Sequence, residues 1–349
     1  MRQIYVGVSV AVVSLLLTLP SQLRASCGQA FCPIETSTLV EHPLGGGQLY
    51  FNLVYEFIDQ DQPFVGTSEA RVGQLPRDHD EQFTHNNTLK LQLDYGITPR
   101  LTVGVLLPYL DRLHQHLAHE EEEVVGSPDG TETVNKTERW RYQEFGDMQV
   151  TARYLLLQPT TPYSPALTFI LGAKLPTGRT NVKNGEGEEA ELTIQPGNGS
   201  WDGLVGLSYV QNFAVGTLRH ETALAPVFLS VLGRFSLGVG KFGYEPGGEM
   251  FLNCGITYPL LRKLDLLAQV NFHYRDRDSV GHAPGVDQVD SGREELFLSP
   301  GLRYHLTDSL AVYGLVQVPV YRRVNGIQLT ADWNLTSGIF YRFDLFSQT

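Results

Sequence analysis

Apolar and polar residues alternate one for one along this chain, segment after segment, and that is the spacing of a β-strand with two unlike faces. From Leu49 the apolar set is Leu49, Phe51, Leu53, Tyr55 and Phe57, interleaved with Gln48, Tyr50, Asn52, Val54 and Glu56. Leu89, Leu91, Leu93 and Tyr95 alternate in the same way with Thr88, Lys90, Gln92 and Asp94. The pattern returns over 147–156 and 264–275. It predicts an all-β chain of about twelve strands, beginning near Gln48, Asn86, Leu101, Trp140, Ala166, Trp201, Val227, Gly248, Leu264, Glu294, Leu310 and Ile327. Between Phe213 and Tyr244 the glycine spacing blurs the alternation, so ten to fourteen strands fit the pattern.

Alternation alone suits a soluble sandwich as well as a barrel. Three features select an antiparallel transmembrane β-barrel. Aromatic residues sit near strand ends on the apolar face (Tyr55, Phe57, Tyr95, Tyr109, Tyr274, Tyr304, Tyr341, Phe343), as at a membrane–water boundary. Tight turns at 98–100, 261–263 and 307–309 alternate with long connections at 61–85, 117–139, 179–199 and 278–293, the pattern of short periplasmic turns and long outer loops. The last strand closes on Ile339-Phe340-Tyr341-Arg342-Phe343, similar to the terminal aromatic strand by which such barrels are recognised for assembly.

Arg2 followed by the apolar run from Val6 to Leu19 reads as a signal peptide over 1–25, too short for a spanning helix. Residues 26–46 then form a periplasmic N-terminal extension, 47–343 the outer-membrane barrel and 344–349 a C-terminal tail. Net charge is −12, and more acidic once Arg2 and Arg24 leave with the leader, which argues against nucleic-acid partners. Cys27 and Cys32 are expected to pair as a disulfide in an oxidising compartment, though a periplasmic metal or redox contact is the alternative. Arg24 argues against lipidation of Cys27. Cys254, between Leu252 and Ile256, reads as a small buried hydrophobe.

The inferred lumen face carries Glu56, Lys90, Asp94, Asp147, Arg153, Lys174, Asp265, Arg275, Arg303, Asp332 and Arg342. Both signs are present, unlike the single-sign ring of a charge-selective filter. The four long loops hold nineteen acidic and seven basic residues. There, His114, His116, His119 and Glu120 offer imidazole and carboxylate donors for Zn, Cu or Ni, with His114 and His116 on one strand face. The plainer alternative is a solvated acidic surface, bridged to lipopolysaccharide by divalent cations. No G-x-S-x-G, H-E-x-x-H or P-loop motif occurs, so neither catalysis nor a cofactor is expected.

Gly146-Asp147-Met148-Gln149-Val150, Ala173-Lys174-Leu175-Pro176-Thr177-Gly178-Arg179 and Gly197-Asn198-Gly199-Ser200-Trp201-Asp202 resemble the MetA-pathway of phenol degradation family. The likeness extends over roughly 49–343. It implies a transporter-like outer-membrane barrel, a pore for small solutes of hydrophobic or aromatic character, and no catalytic residues. The acidic loops and the Cys27/Cys32 extension support a second reading. In it the barrel is a structural or interaction scaffold, binding metal or sheathing an electron-transfer partner. Outer-membrane lipid, lipopolysaccharide, a small solute and a periplasmic partner are the expected associates.

Overall fold

A computed structural model describes residues 40–41, 43–74, 79–123, 131–218, 221–282 and 288–345; the side chains of 120–123, 131–133, 218 and 221 are outside the description. Cys27, Cys32 and the leader therefore lie outside the described residues. Among the described residues are thirteen strands and one short 3-10 turn: β1 (Gln48–Gly66), β2 (Ser68–Glu69), β3 (His79–Gly96), β4 (Leu101–Glu123), β5 (Thr131–Phe145), β6 (Gln149–Leu157), β7 (Ala166–Lys174), β8 (Asp202–Leu218), β9 (Glu221–Ser236), η1 (Lys241–Gly243), β10 (Glu249–Leu261), β11 (Leu264–Arg275), β12 (Arg293–His305) and β13 (Leu310–Asp344).

Every pairing is antiparallel, and β13 returns to β1 from Gln48↔Asp344 to Gly66↔Val324, which closes the sheet into a barrel. Eleven strands form the ring, with β2 and β5 paired outside it. β13 supplies two staves. Its first arm pairs β12 through Val324, its second pairs β1 from Ile327, and the chain reverses at Asn325-Gly326 between them. Gly326 takes φ 55°, and a Cβ there would collide with the Asp290 carboxylate that accepts the Ile327 N–H. Counting both arms, the wall has the expected twelve staves.

The alternation sorts as a barrel requires. Tyr50, Asn52, Val54, Glu56, Ile58 and Gln60 of β1 point inward and are buried. The other face of the sheet leaves large apolar side chains uncovered, among them Leu93, Val105, Leu171, Leu207, Val270 and Leu298. A continuous apolar belt around the outside needs lipid, not water, as its solvent. No helix among the described residues is long and apolar enough to cross a membrane; the strands cross instead. Cys254 belongs to the belt and is exposed, which corrects the expectation of a buried thiol. Leu252, Cys254 and Ile256 are apolar because they face lipid.

At the end where Gln48 meets Asp344, two turns use the same device. The Thr98 hydroxyl accepts the Arg100 and Leu101 N–H groups, and the Thr307 hydroxyl accepts those of Ser309 and Leu310. At the opposite end β3, β4 and β5 run on well past the belt. Asp59, His85, Asp111, Gln115, Arg141 and Gln143 occupy outward positions there. Segments 61–85 and 117–139 are thus largely strand, in place of the long loops expected. Ladder bonds continue in water whatever the side chains carry, so loss of the apolar signal does not end a strand.

Candidate functional site in the outer half of the lumen

The connection from β7 to β8, residues 175–201, folds into the barrel. Residues 190–198 are all buried. Arg112 of β4 and Tyr142 of β5 donate to the Ile194 carbonyl, and Trp140 of β5 donates its indole N–H to the Glu188 carbonyl. Ala190 and Ile194 pack on Trp140. On the far side Leu192 packs against Tyr244 and Val280, from the connections that follow β9 and β11. The loop thus reaches from the β4–β5 side to the connections that follow β9 and β11.

Both its ends are fastened at one ammonium group. Lys174 donates to Asp147 Oδ2 (2.8 Å), Asn198 Oδ1 (2.8 Å) and the Ser200 carbonyl (3.2 Å), and lies 3.3 Å from Asp202. Asp147, in the three-residue break between β5 and β6, also accepts the Gly178 N–H at 2.9 Å. Thr177 accepts the Met148 N–H and donates to the Gly146 carbonyl. The three sequence stretches quoted above for their resemblance therefore meet in one knot that sets both feet of the loop.

Above the belt, His79 and Glu81 of β3, His116 of β4 and Glu191 of the loop bring one donor atom each within 4.8 Å of the others, and all four are buried. His79 Nε2 lies 3.0 Å from Glu191 Oε1 and 3.6 Å from Glu81 Oε1. His114 Nε2 lies 3.1 Å from Glu81 Oε2, while its Nδ1 meets the Thr84 hydroxyl at 2.8 Å. Burial opposes charge on His79, but Glu191 and Glu81 outweigh it and push its pKa up to about 11. For Glu81, burial favours protonation, and the three histidines around it hold it at about 2 instead. Burial takes His114 the other way, down to about 4. A cavity of about 340 Å³ lined by His79, His116, Glu138, Trp140 and Glu191 leads to the group.

The four metal-ligand candidates from the sequence divide. His116 joins the cluster and His114 borders it. His119, an odd number of residues on, falls on the other strand face, where its ring nitrogens meet Asp80 (2.9 Å) and Asn135 (2.7 Å). The side chain of Glu120 is outside the description. His79, Glu81 and Glu191 were missed because 61–85 and 179–199 read as solvated loops. The signal available was the pair of i,i+2 repeats His79-x-Glu81 and His114-x-His116, which register places side by side through Glu81↔His116. Several loop carboxylates expected in solvent are likewise buried, among them Asp278, Asp290 and Glu191.

Of the lumen candidates, Glu56, Asp94, Lys174, Asp265, Arg275 and Arg303 are buried and Lys90, Asp147, Arg153 and Arg342 partly so. Opposite charges meet throughout: Glu56 with Lys90 at 2.5 Å, Asp94 with Arg153, Arg275 with Asp278 at 2.6 Å. Asp332 does not join them. Register shifts where Ile58 pairs Asn334 and Gln60 pairs Ala331, and this irregularity turns Asp332 out to 60 % exposure beside Arg322. At the mouth where Gln48 meets Asp344, Glu41 reaches in to accept from Arg303 (2.8 and 3.1 Å) and Thr257 (2.8 Å), with Val40 among Leu155, Ala166, Val210 and Phe228.

No protein-family model matches the chain, and no curated protein matches it. Among solved structures it is similar to an outer-membrane channel from Pseudomonas putida F1, at 14 % identity and a TM-score of 0.55, over 86 % of this chain and 97 % of that one. The transport unit of the autotransporter AIDA-I from Escherichia coli follows at 12 % identity and 0.44, over 86 % and 92 %. A FadL homologue from Pseudomonas aeruginosa stands at 10 % and 0.40, over 86 % and 90 %. The fold is that of an outer-membrane β-barrel. The apolar belt places the chain in the bacterial outer membrane.

Proposed function

We propose that this chain is an outer-membrane channel for small solutes, hydrophobic or aromatic compounds among them, whose passage is set by the inward loop 175–201. The observation that carries this reading is the loop itself, buried over 190–198 and fastened at both feet to Lys174. A polar, charge-paired wall around it suits neutral or weakly polar cargo, because a net field of one sign is missing from the candidate lumen groups. The knot is built from the residues that resemble the MetA-pathway of phenol degradation family, and we assign the chain to that class of transporter-like barrels. Proteoliposome efflux of phenol-sized solutes tests the reading. Efflux through the folded protein that rises when residues 181–194 are replaced by a short Gly-Ser link supports it; equal, background efflux from both proteins refutes it.

One observation favours a second reading. The loop blocks the outer half while Glu41 and Val40 occupy the periplasmic mouth. Such a barrel would act as a scaffold, presenting the β3–β4–β5 extension outside and the Cys27/Cys32 extension inside. Background efflux from both proteins, with partner capture lost in Cys27→Ser/Cys32→Ser, would select it.

A further inference from the structure

We propose that His79, Glu81, His116 and Glu191 bind a single divalent transition-metal ion of the zinc class, and that this ion clamps the inward loop to the β3–β4 wall. Several buried polar atoms of the cluster make no aligned hydrogen bond. Both Glu81 carboxylate oxygens, His79 Nε2 and His116 Nδ1 are buried and meet no aligned hydrogen-bonding geometry, although His79 Nε2 lies 3.0 Å from Glu191 and 3.6 Å from Glu81, and His114 Nε2 lies 3.1 Å from Glu81. Buried polar atoms almost always find partners, and several lone pairs converging on one point are what a cation would satisfy.

The surrounding groups orient the donors as metal sites do. His116 Nε2 lies 2.7 Å from Glu138 Oε2. A carboxylate only accepts, so Nε2 carries the proton and Nδ1 keeps its lone pair toward the cluster. Carboxylates behind ligating histidines recur in zinc sites and fix the ring tautomer in this way. Glu191 is steadied by the Thr193 hydroxyl, which donates to its other oxygen at 3.3 Å. Once the ion displaces the His79 proton, two neutral imidazoles and two carboxylates form a four-donor N/O set of net charge −2, matched to Zn²⁺, Ni²⁺ or Cu²⁺ and poor in the six to eight oxygens that Ca²⁺ takes. The cavity lined by His79 and His116 supplies the way in.

Three of the four ligands belong to the barrel wall, and the fourth, Glu191, belongs to the loop. An ion bound here ties the middle of the loop to β3 and β4, adding a third fastening to the two at Lys174.

The test is calorimetric titration of ZnCl₂ into untagged, detergent-purified, EDTA-treated full-length protein. A Cys27→Ser/Cys32→Ser/Cys254→Ser background removes competing thiolates. Expected are one bound zinc per chain that excess Ca²⁺ does not displace, and loss of that site in His79→Ala and in Glu191→Gln. Glu138→Gln should weaken it by about 10- to 100-fold, while His119→Ala leaves it unchanged. Folding of each variant is checked by heat-modifiable gel mobility. Glu191→Gln, a loop change outside the wall, serves as the reporter if His79→Ala does not fold. Zinc bound with equal affinity by folded Glu191→Gln, displacement by Ca²⁺, or no zinc on the folded parent protein would each overturn the proposal. For the clamp, zinc should slow protease cleavage within 181–189 in the parent and not in Glu191→Gln; equal cleavage with and without zinc would overturn that part.

Discussion

Lys174 shows how much of this molecule hangs on single charges inside the wall. Its ammonium sits between Asp147 and Asp202, and neither carboxylate has bulk water to fall back on. Replacing it with Met keeps the length and removes the charge, leaving two buried anions, of which only Asp202 has Arg234 within 3.8 Å. Breaking a buried pair in this way costs about 3–5 kcal/mol. Lys174→Met should therefore lower the denaturant midpoint in detergent clearly, and Lys174→Met/Asp147→Asn should recover part of the loss. An unchanged midpoint for the single variant would show that the knot contributes nothing to stability. Glu41 and Arg303 make a comparable contact at the other mouth. Glu41→Arg should free the segment before Gln48, read as faster protease cleavage there, and Glu41→Arg/Arg303→Glu should restore protection. His79 and Glu81 illustrate what residue-level reading misses. Their chemistry was visible in the sequence, but their partner Glu191 lies more than a hundred residues on, in a loop whose inward course no local pattern announces.

Among the elements, the strands were legible where both faces had work to do, one toward lipid and one toward the lumen. β1, β3, β10 and β11 alternate cleanly because each side chain answers to one of two solvents. The upper parts of β3, β4 and β5 were not legible, since above the membrane the outward face is wet and the inward face buries polar residues such as His79, Glu81, His114 and His116, so polarity carries no period. Break 146–148 was hidden for a related reason: Asp147 looks like one more lumen residue, and its role is to receive Lys174 and the Gly178 N–H. Inward folding of 175–201 follows from Ala190, Leu192 and Ile194, an apolar trio that would be costly in solvent and finds Trp140 and Tyr244 inside. Ile194→Asp should therefore loosen the loop while leaving the barrel assembled. Susceptibility to protease within 181–189 should rise, with heat-modifiable mobility retained. Resistance equal to the parent's would mean that the apolar contacts do not hold the loop.

For the whole molecule, the paired interior predicts how ions see the pore. Glu56 with Lys90, Asp94 with Arg153 and Arg303 with Glu41 cancel along the wall, so the net acidity of the chain resides chiefly in its outer segments. Whatever current flows should show only a weak preference for cations, and that preference should fade in molar salt as the outer charges are screened. A reversal potential near the ideal cation value at high salt would contradict this. We propose a barrel able to conduct that is held nearly shut by loop 175–201. Single-channel recording in planar bilayers, comparing the parent with the variant in which 181–194 is replaced by a Gly-Ser link, addresses it most directly. Small or rare openings are expected for the parent and large, steady, reproducible steps for the variant. Equal conductance in the two proteins, both shown to be folded, would contradict it.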